Sequence, residues 1–221
     1  MYVTDSNLNE IYEISGTKIA TVSCTCLDGP EAITYDPSLL YMVVTNYVSG
    51  TIASITGTLF GPTEPVGKQP DAIVFNAYTN GIVVANSGSN NLTAFDASPL
   101  LLRGSIPVGK DPSGLAYDPE NGYTYVANTG SNNVTILDGA ILIGSIRGFD
   151  RPSGVSWDQA ALEIYVSNLG NGKVYAVNAT GDIAKKFATA SGSDPYGLVY
   201  DSSNHDVYAV GLITDKVYIL A

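Results

Sequence analysis

The chain has 221 residues, 45% of them hydrophobic and 14% charged, which is ample material for an apolar core. Its formal net charge is −11, and its 10 Lys and Arg are scattered, with Lys185-Lys186 the one close pair. That balance excludes the basic patch that nucleic-acid binding requires, and no apolar run reaches the roughly 18 residues of a membrane-spanning helix.

In chain order, Met1 to Leu27 predicts three strands, at about Tyr2–Asp5, Glu10–Ser15 and Lys18–Ser23. No charged-then-apolar leader precedes them; a secreted form would have lost its signal, or Met1 is not the natural start. Cys24 and Cys26 follow. On a strand both thiols point to one face, where a direct bond strains the usual Cα separation. Reduced, partly buried thiols, a strained disulfide and a metal site remain open, although two ligands alone do not make a metal site.

From Asp28 onward one unit repeats. A proline opens each copy, at Pro30, Pro70, Pro112, Pro152 and Pro195, with separations of 40, 42, 40 and 43 residues. An asparagine closes an apolar run 16 residues after each of the first four: Asn46, Asn86, Asn128 and Asn168; Gly211 stands there in the last. The fixed offset places insertions in the second half of each unit. The whole reads as one domain of units at approximately 1–27, 28–67, 68–109, 110–149, 150–192 and 193–221.

The third full unit shows the pattern best. Ser113–Asp118, Tyr123–Asn128, Asn133–Asp138 and Ile141–Ile146 are short runs rich in β-branched or aromatic residues, separated by Gly, Asn, Asp or Pro. No run keeps a helical period. Four strands per 40 to 43 residues predict an all-β fold, a β-propeller of five or six four-stranded blades with incomplete first and last blades. Strands apolar on both sides, such as YMVVTN and GIVVAN, fit blades packed on two faces. Gly114, Gly154 and Gly197, with Ala32 and Ala72, recur in the first strand, where converging blades leave room for small residues only. Trp157 takes the place of Tyr35, Phe75, Tyr117 and Tyr200 and reads as an inter-blade core residue.

The run from Pro107 to Asp138 carries a resemblance. Pro107-Val108-Gly109-Lys110, Pro112, Tyr117-Asp118-Pro119, Tyr125-Val126-Ala127-Asn128 and Asn132-Asn133-Val134 resemble the YVTN-type β-propeller repeat of surface-layer and related extracellular proteins. Tyr2-Val3-Thr4-Asp5 and Val43-Val44-Thr45-Asn46 echo it, so the likeness runs through the whole chain. It implies a propeller fold and an extracellular or cell-surface binding module, and it implies no active-site residue.

The residues themselves point the same way. His205 is the single histidine and lies in a polar hairpin, so histidine triads and His-cluster metal sites are unavailable. Asp36, Asp118, Asp158 and Asp201 recur at one place in each unit, which fits turns better than one asymmetric catalytic pair. No Ca²⁺ loop or phosphate-binding glycine fingerprint is present. The expectation is a protein without catalytic, metal or cofactor residues, acting through its faces and edges on other proteins or copies of itself, as a structural, adhesive or assembly module. The alternatives are a lactonase- or lyase-type enzyme with carboxylates at a central pocket, and a ligand- or nucleic-acid-binding propeller. Asn91, Asn133 and Asn178 head Asn-x-Thr sequons at loop edges, where a glycan has room. The last unit is expected to lack its outermost strand. That leaves Lys216, Val217, Tyr218, Ile219 and Leu220 as a weakly protected edge, open to a strand from another subunit or partner.

Overall fold

A computed structural model describes residues 1–38, 40–97, 99–189 and 193–220. The expected boundary near residue 192 lies outside them. The fold is an all-β β-propeller of six antiparallel blade sheets. The chain forms two compact units, Met1–Pro107 and Val108–Ala221.

The first unit holds a three-stranded sheet, β1 (Tyr2–Asp5), β2 (Glu10–Ser15) and β3 (Lys18–Val22). Two four-stranded sheets follow: β4 (Pro30–Asp36), β5 (Tyr41–Asn46), β6 (Thr51–Thr56) and β7 (Leu59–Pro65), then β8 (Pro70–Asn76), β9 (Gly81–Asn86), β10 (Asn91–Asp96) and β11 (Leu101–Pro107). The second unit holds β12 (Pro112–Tyr117), β13 (Tyr123–Asn128), β14 (Asn133–Asp138) and β15 (Ile141–Arg147), then β16 (Pro152–Asp158), β17 (Glu163–Asn168), β18 (Lys173–Val177) and β19 (Ile183–Ala188). It ends with a three-stranded sheet, β20 (Pro195–Asp201), β21 (Asp206–Gly211) and β22 (Lys216–Leu220). β1 touches β4 as β5 touches β8, so β1 takes the place of a second strand.

The constant 16-residue offset has a direct cause. Pro30 pairs with Asn46, Pro70 with Asn86, Pro112 with Asn128, Pro152 with Asn168 and Pro195 with Gly211 across the first two strands. The residue before each of these prolines has positive φ: Gly29, Gln69, Asp111, Arg151 and Asp194. Its carbonyl accepts the amide of the residue after the asparagine, as from Ser87 to Gln69 and from Thr129 to Asp111, each 2.9 Å.

The four asparagines are fully buried and hydrogen-bonded. Asn168 Nδ2 donates to the carbonyls of Val166 and Lys173, while its Oδ1 accepts the Asp150 amide at 3.0 Å. Asn46 and Asn86 accept the amides of Asp28 and Gly67 in the same way. At these three a side chain with both a donor and an acceptor ties the incoming linker to its blade; Asn128 donates to the Val126 and Asn133 carbonyls, but its Oδ1 takes no linker amide.

Within each unit the cores lie between consecutive sheets. Val43, Ile52, Ile82, Val84 and Phe95 fill the space between the second and third sheets. Val134, Val155, Ile164, Val166 and Val177 fill it between the fourth and fifth, with Trp157 packed against them as expected.

Two open points are settled. Cys24 and Cys26 lie in a turn beyond β3, with Cα atoms 5.2 Å apart, and of the alternatives they form the disulfide. Leaving the strand removes the extended geometry that would have held the sulfurs apart. Among the first-strand glycines, Gly114 and Gly154 are crowded, but nothing stands within 4 Å of a Cβ placed on Gly197.

A Cβ on Gly114 collides with the Ser153 carbonyl oxygen of the next first strand, which is backbone and cannot rotate away. Gly114→Leu is therefore expected to cost about 1–3 kcal/mol in urea denaturation. Gly197→Ala should stay within about 0.5 kcal/mol of the parent. Equal effects at the two sites would refute the packing argument.

Candidate functional site

The recurring carboxylates hold turns. Asp36, Asp118, Asp158 and Asp201 each accept, through Oδ1, the amide two residues on, at 2.7–2.8 Å. Asn76 serves in the third sheet, accepting the Thr79 amide. These are Asx turns, which pin the hairpin between first and second strands.

Asp118 has an atom left over. Its side chain is fully buried, yet Oδ2 has no hydrogen-bond partner. It lines a cavity of about 130 Å³ between the fourth and fifth sheets, with Tyr125, Trp157, Ile164 and Val177. Leu162 and Ala179 stand exposed at its mouth. Trp157 Nε1 is also buried and unpartnered. Burial pushes the Asp118 carboxyl above the usual range, offset in part by the Glu120 and Asn121 amides and the Asn121 side chain. Burial likewise raises the Tyr125 phenol.

The corresponding carboxylate of the second sheet, Asp36, is also buried with Oδ2 unpartnered. There the Tyr41 hydroxyl lies near it and donates to the Ala97 carbonyl at 2.8 Å. Burial first, and then the Asp36 charge, push the Tyr41 phenol up to about 12.

The three sequon asparagines differ in what their side chains do. Asn91 Nδ2 donates to Ser105 Oγ at 2.6 Å, and Asn133 Nδ2 to Ser145 Oγ at 2.7 Å, so each ties a third strand to its fourth. Asn178 caps its own turn through Oδ1, accepting the amides of Thr180 and Asp182. It also lines the cavity of Asp118. Of the edge strand β22, Val217 and Ile219 are 62% and 61% exposed and Leu220 is buried. His205 lies in the exposed hairpin between β20 and β21, its Nδ1 2.8 Å from the Tyr200 hydroxyl. Among the described residues no group of three or more His, Cys, Asp or Glu is placed to hold a metal ion. No described helix is long and apolar enough to cross a membrane.

Sequence reasoning passed over the cavity. Asp118 and Trp157 stand in different repeats, and each already had a structural role. The substitution of Trp for Tyr or Phe at position 157 was the one signal, because it adds an N–H donor.

No family model and no curated protein matches the chain. Solved structures do. A streptogramin B lyase superimposes with a TM-score of 0.85 at 14% identity, over 99% of this chain and 75% of that one. A catalytically inactive virginiamycin B lyase from Staphylococcus aureus, solved with quinupristin, gives 0.86 at 12% identity, over 100% and 76%. The hydrazine synthase of Kuenenia stuttgartiensis gives 0.76 at 21% identity, over 89% and 58%. At these identities the likeness shows the fold alone.

The raised Asp118 pKa sets a sign. Its proton is held more tightly in the folded state, so folding gains from this group at low pH and loses that gain as pH rises through the folded-state value. Asp118→Asn cannot ionise and is free of this dependence. Its stability relative to the parent is expected to rise between about pH 3 and about pH 7. Chemical denaturation across that range measures it, and a flat difference would contradict the burial argument.

Proposed function

We propose that the chain is a non-enzymatic propeller of the extracellular or cell-surface kind, related to the YVTN-type repeat proteins, and that it works as an assembly module. The observation that supports this reading is the exposed apolar pair Val217 and Ile219 on β22. β7, β11, β15 and β19, the outer strands of the four-stranded sheets, all pair through a register shift. Such bulges blunt an edge against further pairing. β22 is a third strand and pairs with β21 in unbroken register, as the other third strands do with their second strands; it presents Val217 and Ile219 to solvent, with Lys216 its one charge and no proline. A strand from a second copy or from a partner adds along it by main-chain hydrogen bonding. Repeated head-to-tail, that contact builds a filament. The Cys24–Cys26 disulfide supports an oxidising compartment. The Asx turns add support, since they occupy one oxygen of each recurring carboxylate.

A second reading is a lyase-type enzyme using carboxylates, supported by the structural likeness to streptogramin B lyases. The inactive neighbour carries alanine in place of a histidine. The one histidine here lies in a hairpin against Tyr200.

Sedimentation velocity separates these readings. The assembly reading expects concentration-dependent species larger than 23.1 kDa. Paired Val217→Lys and Ile219→Lys substitutions should return them to monomer with the fold intact. A parent protein that stays monomeric at high concentration sinks the assembly reading. Incubation with quinupristin, followed by mass spectrometry, tests the enzyme reading, and turnover would establish it.

A further inference from the structure

We propose that the first sheet of one copy seats face-on against the last sheet of another, repeating between copies the packing that joins blades within the chain. The inference rests on the assembly role. It names the partner, a second copy, and the contact, two sheet faces.

One position shows where this packing stops. The second residue of each third strand is Ile11 in β2, Ile52 in β6, Leu92 in β10, Val134 in β14 and Val174 in β18, and each is 0% exposed. In β22 that residue is Val217, and it is 62% exposed. Val217 lies opposite Val210, and Ile219 lies opposite Tyr208, which lies opposite Val199. Alternation along the strands puts these residues on one face of the last sheet. Val199, Val210 and Ile219 are exposed with Val217. The other face, with Val207, Ala209 and Leu220, is buried with Val174 and Ala176 of the fifth sheet. The last sheet therefore has one packed face and one bare receiving face.

The covering residues recur as well. Ile11 clusters with Val44 and Ile55 of the second sheet, and Ile52 with Val84 and Phe95 of the third. Val134 clusters with Val166 and Val177 of the fifth sheet, and Val174 with Ala209 and Leu220 of the last. The first sheet holds the same pair. Val3 stands two residues before Asp5, as Val44 does before Asn46, and Ile14 is the fifth residue of β2, as Ile55 is of β6. Val3 lies opposite Tyr12, and Ile14 opposite Ile19, all on one face. Val3 is 41% and Ile19 68% exposed, whereas Val44, Val84, Val166 and Ala209 are fully buried. Outer repeats of a soluble array carry polar outer faces, and these two faces are apolar. Exposed apolar faces mark protein contacts. Each continues the interface already built between blades, and a second copy supplies the matching half. The contact is heterologous and repeats head-to-tail.

Sedimentation velocity on two blocked variants tests the contact. Val3→Lys with Ile19→Lys blocks the covering face, and Val217→Lys with Ile219→Lys blocks the receiving face. All four side chains are exposed, so both variants should melt with the parent. The parent should form a concentration-dependent series, and each variant alone should stay monomeric. An equimolar mixture should reach twice the monomer mass and stop, because it holds one intact face of each kind. Recovery on mixing is a result that misfolded variants cannot give. A covering-face variant that assembles like the parent would overturn the inference and leave strand addition along β22 in place. A mixture of folded variants that stays monomeric would overturn it too. A parent that stays monomeric would remove the assembly role and this contact together.

Discussion

The buried asparagine at the end of each second strand is the contact on which the other blade features depend. At Asn46, Asn86 and Asn168 its oxygen takes the linker amide, whereas Asn128 uses only its Nδ2 donors; where it is fullest the carboxamide reaches three pieces of chain at once. At Asn168 these are the linker through the Asp150 amide, the strand through the Val166 carbonyl and the far side of the turn through the Lys173 carbonyl. No other side chain of that size both donates and accepts with this reach; a carboxylate lacks the donor, and an apolar residue would strand the linker amide. In the first sheet Asp5 holds the equivalent place and accepts the amides of Asn7 and Leu8 in its own turn. In the last sheet Gly211 stands there, where a Cβ would press on Thr214, Ser193 and Tyr218.

This contact explains why so much of the fold is legible in the sequence. The spacing from Pro152 to Asn168 cannot vary, because the two residues face each other across the sheet and the asparagine then holds the linker. Insertions are absorbed further on, where the outer strands tolerate a register shift. The strand β13 is therefore readable to the residue, whereas the limits of an outer strand such as β15 drift by one. The cysteine turn was not legible. The end of β3 is read to within one residue, but the turn that brings Cys24 and Cys26 together lies beyond it and follows no repeat spacing.

The candidate site was hidden for a different reason. Asp118 reads as a turn residue and Trp157 as core, and both are so. Each has one more polar atom than its structural role consumes. A sequence shows the role but not the remainder, because the remainder depends on what the neighbouring blade places opposite.

That remainder is where copies of one repeat diverge. The Asx turn uses Oδ1 of the carboxylate in the second and fourth sheets alike, so Oδ2 is free of the frame in both. In the second sheet the space beside Asp36 contains the Tyr41 hydroxyl, which is anchored to Ala97 and belongs to a continuous core. In the fourth, the space beside Asp118 is an open cavity next to an indole. The two blades keep the same strands and the same turn. They differ in what lies beside the second carboxylate oxygen, since the frame is already satisfied without it. Differences between copies in such an array therefore arise in individual blades, at atoms that the repeat leaves unused.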